Sequence, residues 1–167
     1  INQHILIGHS DGGSIAIIYA GGTPAVGLCG MITEAAHLFC EEISVQSIQE
    51  IKELYLKDDE LRGKLAKYHG HNVDCAFWGW NQAWLHPDFR EWNIEEYLPG
   101  INVPLLAIQG ADDQYGTAAQ IEAIARQTGD STQVLMLPEC GHTPHKEQKE
   151  ATFDTMVTFI RRILHEG

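Results

Sequence analysis

The chain has 167 residues, 44% of them hydrophobic, and a formal net charge of −12. That length suffices for one domain with a sizeable core. The acidic balance excludes nucleic acid and anionic membrane surfaces as partners, because phosphate binding needs clustered Lys and Arg.

The local basic pair, Arg161-Arg162, falls near the end of a helical pattern, where positive charge suits the helix dipole. Cys29, Cys40, Cys75 and Cys140 form no Cys-x-x-Cys pair and stand in apolar or mixed surroundings. They are expected to be buried free thiols, which places the protein in a reducing, cytoplasmic compartment. No run is apolar and long enough to span a bilayer, and no signal peptide is visible. The chain opens almost directly on an apolar run. A parallel strand buried on both faces needs flanking strands, so the chain is expected to be the C-terminal part of a larger fold.

In chain order, residues 4–8 predict a strand and residues 12–20 a buried helix, stopped by Gly21-Gly22-Thr23-Pro24. Residues 25–31 predict a second buried strand, which completes a βαβ unit. From residue 32 to about residue 100 the pattern turns helical. Ile48, Ile51, Leu54 and Tyr55 fit one helical face. Asp58-Asp59-Glu60 can cap a helix carrying Leu61, Leu65 and Tyr68, and residues 72–85 place Phe77, Trp80 and Trp84 at helical spacing before Pro87. A short turn of helix follows over 93–98. So long an insertion at the carboxyl edge of a parallel sheet is where a lid would sit. Residues 103–110 resume the strand pattern. A helix over 117–128 turns Ile121, Ile124 and Ala125 inward, and a strand covers 133–137. A loop over 138–144 leads to a last helix from about residue 146 to 165, with Phe153, Met156, Val157, Ile160 and Leu164 inward. The expected organisation is a core at 1–31, a helical lid at 32–100 and a core at 101–167.

The stretch Ile5–Ser14 carries the chemistry. Gly8-His9-Ser10-Asp11-Gly12 is Gly-x-Ser-x-Gly between a strand and a helix, the setting in which this pattern makes a nucleophile elbow. So sharp a turn strains the serine and projects its hydroxyl, and side chains at both glycines are expected to crowd it. The helix N-terminus faces the reacting atoms, so the Asp11 N–H can serve a developing oxyanion. Asp112-Asp113 follows a later strand, and His142 lies in the loop after the last one. The order Ser, acid, His is that of the α/β-hydrolases.

Gly8–Gly13, Gln109–Asp113 and Gly141–His145 together resemble the three signatures of lid-bearing α/β-hydrolases, most closely carboxylesterases and meta-cleavage-product hydrolases. The resemblance spans the chain. It implies a parallel sheet with flanking helices and a helical lid, the N-terminal strands lying outside this sequence. It implies Ser10 as nucleophile, His142 as general base and acid, and an Asp that orients it. The family acid lies three residues after the strand-terminal glycine, which from Gly110 is Asp113; Asp112 is the alternative. The second oxyanion donor comes, in the family, from a part of the fold that this chain lacks.

The expected reaction is hydrolysis of a carboxylic ester of a small apolar or aromatic substrate, without cofactor or metal. The alternatives are carbon–carbon bond hydrolysis and an inactive fragment or non-catalytic relative. A serine nucleophile excludes the haloalkane dehalogenase and epoxide hydrolase chemistries, which use Asp. Trp78, Trp80, Trp84 and Trp92 crowd one segment with Phe77 and Phe89, as the insertion's own core or as an apolar wall for substrate. His9 is expected to line the pocket. His69-Gly70-His71-Asn72-Val73-Asp74 falls short of a binuclear zinc pattern and reads as solvated residues near a helix start. Besides substrate, the partner expected is the missing N-terminal half or a second copy.

Overall fold

The computed structural model describes residues 2–166. The chain forms two compact units, one from its two ends, up to Phe39 and from Asn93, and one from Cys40–Trp92.

The first unit is a four-stranded parallel sheet in the spatial order β1-β2-β3-β4: β1 (His4–His9), β2 (Leu28–Glu34), β3 (Leu105–Gly110) and β4 (Thr132–Leu137). Its helices are α1 (Asp11–Gly22), α5 (Ala118–Thr128), α6 (Pro144–Glu147) and α7 (Lys149–Glu166). All six residues of β3 are buried, as expected where both faces of a parallel sheet are covered. Ile32, Leu106 and Ile108 join Leu137, Cys140, Met156 and Phe159 in one core cluster. Met31, Leu105 and Ala107 alternate with them and fill the other face.

Several expected elements shift. The second strand begins at Leu28, because Ala25 and Gly27 take positive φ in a turn (40° and 82°). It runs on to Glu34. The expected last helix is broken at Gln148 into α6 and α7. The inner face of α7 is carried by Thr152, Met156 and Phe159, while Phe153, Val157 and Leu164 are exposed. Residues 32–39 and 93–100 belong to the sheet unit, so the helical unit is shorter than residues 32–100. Of the four free cysteines only Cys140 is buried; Cys75 is exposed, and Cys29 and Cys40 are half-buried.

The second unit contains α2 (Glu42–Lys57), α3 (Asp59–His69) and α4 (Val73–Trp84). Asp58 caps α3 by accepting the Glu60 N–H. The core includes Ile48, Tyr55, Val73, Phe77 and Trp84, and the Tyr55 and Phe77 rings stack with centroids 3.6 Å apart. Leu54 and Tyr68 are exposed, contrary to the helical-face reading. No helix among the described residues is long and apolar enough to cross a membrane.

Candidate active site

The carboxyl ends of the strands bring the chemistry together, as open α/β sheets do. At the end of β1, Ser10 adopts φ 55°, ψ −125°. This is a conformation that persists only where surrounding structure enforces it. Its N–H donates to the Glu34 carbonyl (2.8 Å), and its carbonyl accepts from the Gly13 and Ser14 amides (2.9 and 3.2 Å). A Cβ on Gly8 would overlap the Gly12 backbone. One on Gly12 would meet open space, contrary to the expected crowding there; one on Gly13 would sit 2.7 Å from the Ala36 Cβ. The second sterically required glycine is therefore Gly13.

At the end of β3, a Cβ on Gly110 would overlap the carbonyls of Cys140 and Gly141. Glycine there lets the acid loop lie against the histidine loop. The Ala111 and Asp112 amides donate to the Leu137 and Cys140 carbonyls (2.8 and 2.9 Å). The Asp112 side chain is left exposed, while Asp113 is buried and its Oδ1 accepts the Tyr115 N–H at 2.9 Å. The His142 Nδ1–H donates to the Asp113 carboxylate, 2.9 Å from Oδ1 and 3.0 Å from Oδ2. The proton on Nδ1 leaves Nε2 as an acceptor, 2.9 Å from the Ser10 Oγ. Glu147 on α6 pins the loop from behind, accepting from the Gly141 and Thr143 amides (2.6 and 2.8 Å).

Ser10, Asp113 and His142 are thus in one hydrogen-bonded row, and Asp112 lies outside it. Asp11 opens α1, so its N–H belongs to the positive end of that helix, beside Ser10. The His9 Nε2–H donates to the His142 carbonyl at 2.7 Å. Burial pushes the His9 imidazole below its ordinary value, against the raising effect of that bond, and the neighbouring His142 lowers it further. His9 is therefore a neutral donor at pH 7.

Two further rings flank the imidazole. His37 stacks on His142 (5.6 Å between centroids) and Tyr115 tilts against it (4.7 Å). Glu34 binds His145. None was legible as a site residue. Glu34 ends β2 and His37 follows three residues later, so the available signal was their place at the carboxyl end of a parallel strand.

The tryptophans lie in the helical unit. Trp84 is buried beside Phe89 and Trp92, and Trp78 lies edge-on to Tyr55 and Phe77; Trp80 is half-buried with its ring 6.0 Å from that of Phe77. Asp74 is engaged by Arg62 and Tyr55. His69 and His71 are exposed. An apolar groove of about 600 Å³ lies at the opposite, amino-terminal end of the strands, lined by His4, Ile5, Cys29, Pro104, Ile160 and Ile163 among others, away from Ser10.

This sheet order, with a serine after one strand, an acid after a later one and a histidine after the last, is the α/β-hydrolase fold, and solved structures of that fold superpose on nearly the whole chain. One is a meta-cleavage product hydrolase from Pseudomonas fluorescens, at 18% identity and TM-score 0.73, covering 97% of this chain and 66% of that one. A serine hydrolase involved in carbazole degradation gives 14%, 0.72, 96% and 64%. A thermophilic esterase from Thermogutta terrifontis gives 19%, 0.65, 97% and 66%. The chain therefore spans just under two thirds of the length of these structures. Its sequence matches no family model and no curated protein.

Proposed function

We propose that the protein is a serine hydrolase that cleaves a carboxylic ester. The observation that carries this reading is the row Ser10 Oγ, His142 Nε2, His142 Nδ1, Asp113 carboxylate, each step 2.9–3.0 Å. His142 takes the Ser10 proton as the oxygen attacks the substrate carbonyl. Asp113 holds the tautomer and stabilises the imidazolium. The Asp11 N–H donates to the oxyanion. His142 returns the proton to the leaving alcohol, and water then releases the acid by the same steps in reverse. The tryptophan-rich helical insertion is the reason to expect an apolar or aromatic acyl group.

Labelling with a fluorophosphonate tests the nucleophile. The chain is expected to label, and Ser10→Ala to abolish labelling; absence of labelling in the parent chain overturns the enzyme reading. The second reading is carbon–carbon bond hydrolysis, which needs the same residues and accords with the likeness to a meta-cleavage product hydrolase. Short-chain p-nitrophenyl esters and a vinylogous 1,5-diketone acid separate the two. Turnover of the diketone alone replaces the ester reading with the second.

A further inference from the structure

We propose that Glu34 is a positioning residue for the catalytic histidine, acting through His145 and seconded by His9; this rests on the roles given above to Ser10 and His142. Glu34 is the last residue of β2 and only 4% exposed. Its backbone and its side chain hold two different parts of the site. The carbonyl accepts the Ser10 N–H at 2.8 Å. The carboxylate oxygen Oε2 accepts both the His145 N–H (3.1 Å) and the His145 Nδ1–H (3.0 Å). One residue thus ties the nucleophile turn to the segment three residues beyond His142.

His9 makes a second tie between the same two parts. It precedes Ser10 and donates to the carbonyl of His142 itself. Its ring meets that of His145 edge-on, with centroids 5.1 Å apart. Glu147 also holds the loop, but from within the same stretch of chain, four to six residues on. Glu34, at the end of β2, and His9, at the end of β1 beside Ser10, tie the His142–His145 segment to the sheet. A buried carboxylate costs stability unless it is hydrogen-bonded, and both side-chain bonds of Glu34 come from His145, in the first turn of α6 directly after the histidine loop. They set where the loop lies against β2, and so how Nε2 meets Oγ. A displacement of about 1 Å there costs on the order of 10²-fold in rate.

The test compares the parent chain with Glu34→Ala, Glu34→Gln and His145→Ala. Fluorophosphonate labelling rates and p-nitrophenyl ester kinetics are read alongside far-UV circular dichroism. Glu34→Ala and His145→Ala are expected to lower the labelling rate and kcat by about 10- to 100-fold, with KM changed by less than about twofold. Glu34→Gln should recover most of the loss, because its amide oxygen can accept the same two bonds. A rise in KM at constant kcat, or parental rates in folded His145→Ala, overturns the proposal. So does a Glu34→Gln variant no faster than His145→Ala, which also covers a Glu34→Ala chain that fails to fold. The His142 Nδ1–H proton resonance gives a reading that needs no turnover: broadening in folded His145→Ala supports the proposal, and an unchanged line overturns it. A parent chain that does not label fails the hydrolase reading, and the resonance then decides the positioning role alone.

Discussion

Asp112 and Asp113 are neighbours in the chain and opposites in environment. Asp112 has an exposed side chain, and Asp113 is buried against the His142 Nδ1–H. Asp113→Asn keeps the shape but presents an amide where a carboxylate fixes the imidazole tautomer. Its kcat on p-nitrophenyl esters is expected to fall by about 10⁴-fold, while Asp112→Asn stays near the parent. Equal losses in the two variants would refute the assignment. The elbow glycines invite a similar contrast. Gly8→Ala drives a methyl group into the Gly12 backbone, whereas Gly12→Ala finds open space in the first turn of α1. Gly8→Ala should destabilise the chain by at least about 1–3 kcal/mol, since backbone cannot yield as a side chain can. Gly12→Ala should be neutral or stabilise by about 0.5–1 kcal/mol. Urea midpoints at constant slope read both. The hydrogen-bonded row of Ser10, His142 and Asp113 was legible because the steric demands of a strained serine and of two tight strand ends leave glycine and polar punctuation in the sequence. Glu34 leaves no such mark, since one carboxylate ending an apolar run looks like the start of a loop.

Among the elements, strands were easier to place than helix faces. A strand buried on both sides is largely a run of apolar residues, and β3 is buried at every position with Gln109 as its polar exception. A helix must be read by phase, and α7 carries more apolar residues than its buried stripe holds. Phe153, Val157 and Leu164 outvote Thr152, which is fully buried, and so rotate the inferred face. The helical unit offers a titration that tests an element contact directly. The Arg62 guanidinium donates to both oxygens of Asp74 and the Tyr55 hydroxyl to one, linking α2, α3 and α4. These donors hold the Asp74 carboxyl at about 2, against its ordinary 3.8. The unfolded chain therefore binds more protons than the folded one in that interval, and stability falls as pH drops. The contribution is fully present above about pH 4 and is lost toward pH 2. Comparing Asp74→Asn with the parent in urea should show a deficit at pH 7 that shrinks with acid, and shrinks also in high salt, because the pair is exposed. A deficit independent of pH would show that the carboxylate's charge is not what matters.

At the scale of the whole molecule, the two edges of the sheet differ. Among the described residues, β1 pairs only with β2, and β4 only with β3. The β4 edge begins with Thr132 and Gln133. On β1, Ile7 is 55% exposed; on the α1 side of the same unit Ile15 is 66% exposed, and Val26, in the turn before β2, is 83% exposed. An open apolar edge is a template for another strand, and natural edges are commonly protected by charge. The related structures are about half as long again as this chain, but a second copy of the chain can meet the same edge. The net charge of −12 opposes such contact at neutral pH and low salt. It vanishes near the isoelectric point of about 5.0. Self-association, read by light scattering against concentration, is therefore expected to grow as pH falls toward 5 and as salt is added at pH 7. Ile7→Lys places a charge on the exposed edge and should suppress it, with circular dichroism unchanged. Val134→Lys on the β4 edge should suppress it less, because the strand already begins there with the polar residues Thr132 and Gln133. Equal effects at the two edges would mean that net charge, rather than the β1 edge, governs the association.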